Sequence, residues 1–182
     1  MDGGWLAADR RLLAAMRECG AQPEIAAVAR ALSYVGEHGA LWLAAGLVHA
    51  AADRPRRTAW LRATVVVGGA HLVSMGVKRV VRRARPGTTA RPFPLVRTAG
   101  RYSFPSSHAT SAAAAAVAFG ALLPAARQLL PPVAAAMCVS RLVVGVHYPT
   151  DIAAGAALGG LAAHLGHRWT IRPLTAGGRC DD

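Results

Sequence analysis

The stretch SRLVVGVHYPTD, residues 140–151, places polar residues inside an otherwise apolar part of the chain. His147 precedes Asp151 by four residues, and Arg141 lies in an apolar run just before them. Pro149 suits the first position of a helix, which puts Asp151 in the first turn and near the His147 ring. An imidazole oriented by a carboxylate can act as a base or a nucleophile. A buried Arg in such a place needs an anion.

A second cluster, FPSSHATS at residues 104–111, opens an Ala-rich run. Pro followed by Ser predicts a helix start, with a serine oxygen capping the free backbone amides. Such a helix start favours an anion, and His108 in the first turn could reach a bound phosphate. A capped helix with a His of no function is the alternative.

The third cluster, KRVVRRARP at residues 78–86, follows a long apolar stretch. Pro86 ends the predicted helix, and the basic residues gather at its end. Taken alone, this pattern is typical of a patch that contacts acidic lipid headgroups. Arg is also the side chain that contacts phosphate through two hydrogen bonds, and Lys supplies a point charge.

The composition bounds the class of protein. With 182 residues, 53% of them hydrophobic and only 16% charged, we expect one Ala-rich, all-α domain. The net charge of +12 implies an anionic partner, which could be nucleic acid, an acidic membrane surface or a phosphorylated substrate. Aromatic residues are scarce and the motif charges lie between apolar stretches, which disfavours nucleic acid. The first residues lack a basic n-region, so no cleaved signal peptide is expected.

Apolar stretches recur along the chain and predict an integral membrane bundle of about five transmembrane helices. Residues 1–36 form a predicted N-terminal amphipathic segment, which lies on a membrane surface or packs on the bundle. Residues 37–168 form the membrane domain, and residues 169–182 a polar tail. A soluble Ala-rich bundle is the alternative. The predicted spans cover residues 39–52, 63–77, 102–126, 128–147 and 152–167.

The order of the three clusters predicts that they meet. The first ends one span and the second begins the next, so both lie on one membrane face. The chain crosses away and returns before the third cluster, which therefore lies on the same face. The sequence predicts one pocket with a Lys, at least two Arg, two His and an Asp.

In this order the clusters resemble the type 2 phosphatidic acid phosphatases, the lipid phosphatase branch related to vanadium haloperoxidases. That family has Lys, six residues, Arg-Pro, then Pro-Ser-Gly-His, then Ser-Arg, five residues, His, three residues, Asp. Ser107 stands where the family has Gly, which bears on the fine geometry of the phosphate cradle. The matching residues are Lys78, Arg85, Pro86, Pro105, Ser106, His108, Ser140, Arg141, His147 and Asp151.

The resemblance implies a metal-independent phosphatase without a cofactor. His147 would attack phosphorus and form a phosphohistidine, with Asp151 orienting the ring. His108 would protonate the leaving oxygen and then activate water. The phosphate oxygens would be held by helix-end amides and by Lys78, Arg85, Ser106, Ser107 and Arg141.

The segments GEHG, at residues 36–39, and SFPSSHATS, at residues 103–111, resemble those of a small actinobacterial branch of this family. That branch dephosphorylates decaprenylphosphoryl-5-phosphoribose. The expected partners are thus a lipid phosphate and membrane lipids, with no nucleic acid. Polyprenyl diphosphate, phosphatidic acid or phosphatidylglycerophosphate are alternative substrates. A basic membrane-surface binding protein is the non-enzyme alternative.

The expected location is the bacterial plasma membrane. With five spans, twelve Lys or Arg lie on the active-site side, leaving Arg141 aside, and eight lie on the opposite side. The positive-inside rule then predicts an active site that faces the cytoplasm, whereas most bacterial members of the family act on the outer face.

Overall fold

The computed structural model describes residues 4–86, 94–98 and 100–172. Short 3-10 turns precede α3, α4 and α6, and one isolated bridge joins Ala84 to Tyr102. The predicted all-α class is confirmed. The helices of the described residues are α1 (Gly4–Cys19), α2 (Pro23–Val35), α3 (Ala40–Ala52), α4 (Arg57–Val81), α5 (Ser107–Leu122), α6 (Leu130–Val143) and α7 (Pro149–Ile171).

Local signals in the sequence account for the helix boundaries beside the three clusters. Pro149 lies in the first turn of α7, where its missing N–H is not needed. Ser106 caps α5, because its Oγ accepts from the backbone N of Ala109 at 3.4 Å. Arg82 adopts a left-handed conformation that ends α4. Gly145 has a φ of 77°, a region that favours glycine, and there the chain turns after α6.

Helix α5 forms the centre of the bundle, with α4, α6 and α7 packed around it. Its Ala-rich sequence lets these neighbours approach closely. The closest approach is to α7, where a Cβ on Gly155 or Gly159 would lie within 3.0 Å of the α5 backbone. This small-residue seam holds α7, and therefore the residues at its first turn, against the start of α5.

The outer surface of the bundle is apolar. Large apolar side chains of α3, α4 and α7 are more than half exposed, among them Val48, Val65, Leu72, Leu161 and Leu165. In the described part of the chain, the 28-residue segment Arg54–Val81 contains an 18-residue window of mean hydropathy 1.3 and is long and apolar enough to cross a membrane. Helices α5 and α6 are apolar but shorter. The number of five spans stays a prediction.

The N-terminal segment forms two helices. The amphipathic pattern from Trp5 to Cys19 corresponds to α1, and the chain then breaks at Gly20 before Pro23 starts α2. Helix α1 packs on α6 and α7 and buries Asp9 and Leu13. This contact favours packing on the bundle over a position on the membrane surface alone.

The end of α7 differs from the sequence-based expectation, and the domain boundaries stay a prediction. Helix α7 continues to Ile171, past the expected end of the membrane domain at residue 168, because Thr170 is buried and its hydroxyl donates to the Gly166 carbonyl. Most of the expected tail, 173–182, lies outside the described residues. Residues 87–93 and 99 also lie outside the described residues, and the described residues between Pro86 and Ser103 are not helical.

Candidate active site

The three sequence clusters meet at one end of the bundle around a cavity of about 330 Å³. Ligand pockets commonly start near this size. Asp151 and Ser106 lie behind the cavity wall, both fully buried. The six other predicted site residues line the cavity: Lys78, Arg85, Ser107, His108, Arg141 and His147.

His147 lies in the loop between α6 and α7 and is 2% exposed. Arg85 Nη1 lies 3.3 Å from its Nε2, and because a guanidinium only donates, Nε2 must accept. The ring proton of the neutral imidazole is therefore on Nδ1. That atom lies 3.5 Å from Asp151 Oδ2, which already accepts from the Tyr148 backbone N at 2.8 Å. The arrangement directs the lone pair of Nε2 at the cationic side of the cavity.

The surroundings of His147 also fix its charge. Burial, reinforced by the positive charges of Arg85, Lys78 and Arg141, holds the pKa of His147 well below its usual value. The imidazole is thus neutral near pH 7. Burial also lowers the pKa of Arg85, whereas Asp151 raises it, but a guanidinium remains charged at neutral pH. A neutral imidazole next to fixed cations is the state that a nucleophile for phosphorus requires.

Lys78 lies in the last turn of α4 and contacts the segment that leads into α5. Its Nζ donates to the Ser103 carbonyl at 3.1 Å and to the Pro105 carbonyl. An ammonium has three N–H donors, so one remains for a ligand in the cavity. Lys78 thus both shapes the entry into α5 and presents positive charge.

Arg141 is 4% exposed, although it carries a full positive charge. Among the described residues it forms no ion pair, and its Nε has no hydrogen-bond partner. Leaving a buried cation without a counter-charge is costly. Since Arg141 lines the same cavity as Lys78 and Arg85, the cavity is suited to a multiply charged anion.

His108 lies in the first turn of α5 and faces α2. Its Nε2 lies 3.1 Å from the Ser33 carbonyl, which can only accept, so Nε2 carries a proton. Nδ1 is then the nitrogen that is free to exchange a proton. The neighbouring Ser107 Oγ accepts from Ser74 Oγ at 2.8 Å and lines the cavity. Ser106 instead joins α5 to α7, because its backbone N donates to the Asp151 carbonyl at 2.9 Å.

The sequence-based reasoning missed three residues that contact the predicted site: Arg83, Asp9 and Ser33. Arg83 forms an ion pair with Asp151 at 2.9 Å and with Asp9 at 2.7 Å. Asp9 gave a signal, since it shares a helical face with Leu6 and Leu13, where a carboxylate is out of place. Ser33 offered none, because its carbonyl is the group that contacts His108.

No group of three or more His, Cys, Asp or Glu that could hold a metal ion occurs among the residues described. The charges that line the cavity are mostly cationic, which suits a phosphate and not a metal.

Comparison with known proteins agrees with this geometry. The PAP2 superfamily model matches residues 40–173. A decaprenylphosphoryl-5-phosphoribose phosphatase of Mycolicibacterium smegmatis is 42% identical over 151 residues, which cover 81% of this chain and 80% of the relative. The Mycobacterium tuberculosis protein of the same name is 44% identical over 140 residues, or 76% of each chain.

Among solved structures, a transmembrane PAP2-type phosphatidylglycerolphosphate phosphatase from Bacillus subtilis superimposes with a TM-score of 0.77 and 26% identity. The superposition covers 92% of this chain and 86% of that one. The chain therefore belongs to the PAP2 superfamily, as a membrane phosphatase that acts on lipid-linked phosphates.

Proposed function

We propose that the substrate is a polyprenyl-linked phosphomonoester of the decaprenylphosphoryl-5-phosphoribose type, hydrolysed through a phosphohistidine on His147. The observation that carries the proposal is the buried Arg141, which forms no ion pair with any described residue, beside a neutral His147 whose Nε2 faces Arg85. A phosphate group there neutralises the cations and lies in front of the nucleophile. The two mycobacterial relatives named above support the choice of lipid.

The reaction proceeds in two balanced steps. The bound phosphate dianion favours an imidazolium at His108, with its second proton on Nδ1. His147 Nε2 attacks phosphorus, the bond from phosphorus to the ribose oxygen breaks, and His108 Nδ1 gives its proton to that oxygen. A water then gives a proton to His108 and attacks the phosphohistidine, which releases inorganic phosphate and restores His147. Lys78, Arg85 and Arg141 stabilise the charge that develops on the phosphoryl oxygens, which is the largest contribution that such a site can make.

One acidic residue of the cavity supports a hydroxyl-bearing head group. Glu37 lines the cavity beside His38, whose φ of 54° is in the left-handed region. A carboxylate repels phosphate, but it can accept hydrogen bonds from two hydroxyls, as carboxylates do from ribose. Met75 also lines the cavity and lies one turn from exposed Leu72 on α4, which gives an isoprenoid chain an apolar path outward.

We expect Glu37→Gln to lower kcat/KM on the ribose-bearing lipid roughly tenfold or more, because hydrogen bonds to a charged group contribute about 1.5–3 kcal/mol. A polyprenyl monophosphate without the sugar should be hydrolysed as by wild type. Glu24→Gln, at an exposed acid of α2, is the matched control. Equal losses on both lipids would contradict the head-group assignment.

We propose that the protein lies in the bacterial plasma membrane with its active site on the cytoplasmic side. The excess of Lys and Arg on the active-site side supports this orientation. Two variants in a Cys-free background test this orientation. Thr98→Cys places a thiol at the cavity, and Ala52→Cys places one near the start of α4, away from the cavity. An impermeant maleimide should label only the Ala52→Cys variant in intact cells. Labelling of the Thr98→Cys variant alone would reverse the orientation.

Phosphate release from purified protein tests the substrate. We expect kcat/KM to be about tenfold or more higher for decaprenylphosphoryl-5-phosphoribose than for a polyprenyl diphosphate or phosphatidic acid. His147→Ala should abolish release, whereas His164→Ala, at an exposed His of α7, should not. A preference for the diphosphate would overturn the choice of substrate.

A further inference from the structure

The N-terminal helix contributes a buried carboxylate to the active site. Asp9 of α1 is 2% exposed and receives hydrogen bonds from two elements. Its Oδ1 accepts from the Thr150 backbone N at 2.9 Å, and its Oδ2 accepts from Arg83 Nη2 at 2.7 Å. Asp9 is therefore fixed on both oxygens at the start of α7.

Arg83 joins this carboxylate to the one behind the nucleophile. Its Nη1 donates to Asp151 Oδ1 at 2.9 Å and to Thr150 Oγ1 at 2.6 Å. The Thr150 hydroxyl in turn donates to Asp9 at 2.5 Å. The guanidinium also lies over the Tyr148 ring, 4.1 Å from its centroid. Arg83 is thus held on three sides by groups that do not reach the cavity.

These contacts determine where the Asp151 carboxylate lies. One oxygen is held by Arg83, and the other by the Tyr148 backbone N at 2.8 Å, which leaves that second oxygen 3.5 Å from His147 Nδ1. If Arg83 moved, the carboxylate could rotate away from the imidazole. A buried ion pair contributes little net stability compared with apolar residues of the same volume, so packing alone does not account for Asp9.

From this network we propose that Asp9 is a positioning residue for the reaction. It holds Arg83, Arg83 holds Asp151, and Asp151 orients the His147 imidazole for attack. The inference rests on the proposed function, because it requires His147 to be the nucleophile. It makes α1 a part of the catalytic machinery as well as a helix on the outside of the bundle.

The test measures kcat for each folded site, counted by vanadate binding. In Asp9→Asn we expect kcat to fall about 10- to 100-fold, as a displacement near 1 Å at the reacting groups can cause. KM should change by less than about twofold, because Lys78, Arg85 and Arg141 are unchanged. The affinity for vanadate, a mimic of five-coordinate phosphorus, should fall with kcat, so sites are counted at saturating vanadate. A merely structural role would lower the number of sites and leave kcat per site unaltered.

Further variants make the test decisive. Glu18→Gln removes an exposed acid from the same helix and should behave as wild type. Arg83→Gln should lower kcat as much as Asp9→Asn, and the double variant should be no worse, since both act through Asp151. Arg83→Lys keeps the charge but cannot bridge both carboxylates, so its kcat per site should also fall. If Asp9→Asn does not fold, the kcat of Arg83→Lys serves as the test.

Different results would overturn the proposed function and the role of Asp9. Wild-type protein that binds vanadate but releases no phosphate from any lipid would overturn the proposed function and this inference with it. An active wild type beside an Asp9→Asn variant with unchanged kcat per site would overturn the inference alone. Additive losses in the double variant would also overturn it.

Discussion

The contact between α5 and α7 gives a paired test of how the fold positions the site. Gly159 and Gly160 are neighbours on α7, but a Cβ on Gly159 would meet the backbone of Thr110 and Ala114 within 3.0 Å. A Cβ on Gly160 would meet nothing within 4 Å. Backbone atoms cannot rotate away, so Gly159→Ala must force the two helices apart.

The magnitude follows from the two environments. Overpacking of this kind costs about 1–3 kcal/mol, whereas Gly160→Ala should stabilise the helix by roughly 0.5–1 kcal/mol. The gain in helix propensity applies to both Gly→Ala changes, so the two variants should differ by the overpacking term alone, about 1–3 kcal/mol in the free energy of unfolding. Asp151 lies at the start of α7, so a helix displaced by about 1 Å should also lower kcat, by up to about 100-fold.

Thermal unfolding in detergent and phosphate release measure both effects. We expect the Tm of Gly159→Ala to lie at least about 2 °C below that of Gly160→Ala. Only Gly159→Ala should lose activity. Equal Tm values and equal kcat values for the two variants would refute the argument that this seam sets the position of Asp151.

Further predictions concern the chemistry. Arg85→Gln removes a cation beside His147, so the pKa of His147 should rise and the acidic limb of kcat/KM should move to higher pH; Arg82→Gln, at an exposed Arg, should leave the limb in place. His108→Ala should still cleave an aryl phosphate, whose leaving group needs little protonation, but should accumulate phosphohistidine because water is not activated. Wild-type activity should survive EDTA and be inhibited by vanadate, a mimic of five-coordinate phosphorus; an absolute requirement for a divalent metal would contradict this.

The sequence was sufficient to predict which residues line one cavity, because its signals are local. Pro149 and Ser106 mark helix starts, and the four-residue spacing of His147 and Asp151 keeps them together on one turn. The alternating direction of successive helices then predicts that distant clusters meet at one end of the bundle. Each of these inferences uses short-range geometry and chain connectivity.

The contacts around that cluster depend on tertiary packing and could not be predicted. Asp9 reaches Arg83 across 74 residues, and Ser33 reaches His108 across 75. Nothing in the local sequence states which helix packs against which. The position of Ser106 behind the wall has the same cause, because its backbone N contacts α7.

Trapping a phosphohistidine on His147 is the most direct test of the proposed mechanism. Purified protein is mixed with substrate labelled in its terminal phosphate, quenched in denaturant at alkaline pH, and digested for mass spectrometry. We expect one acid-labile phosphate on the peptide that contains His147, and none in the His147→Ala variant. Label on another residue, or His147→Ala protein that releases phosphate at the wild-type rate, would contradict it.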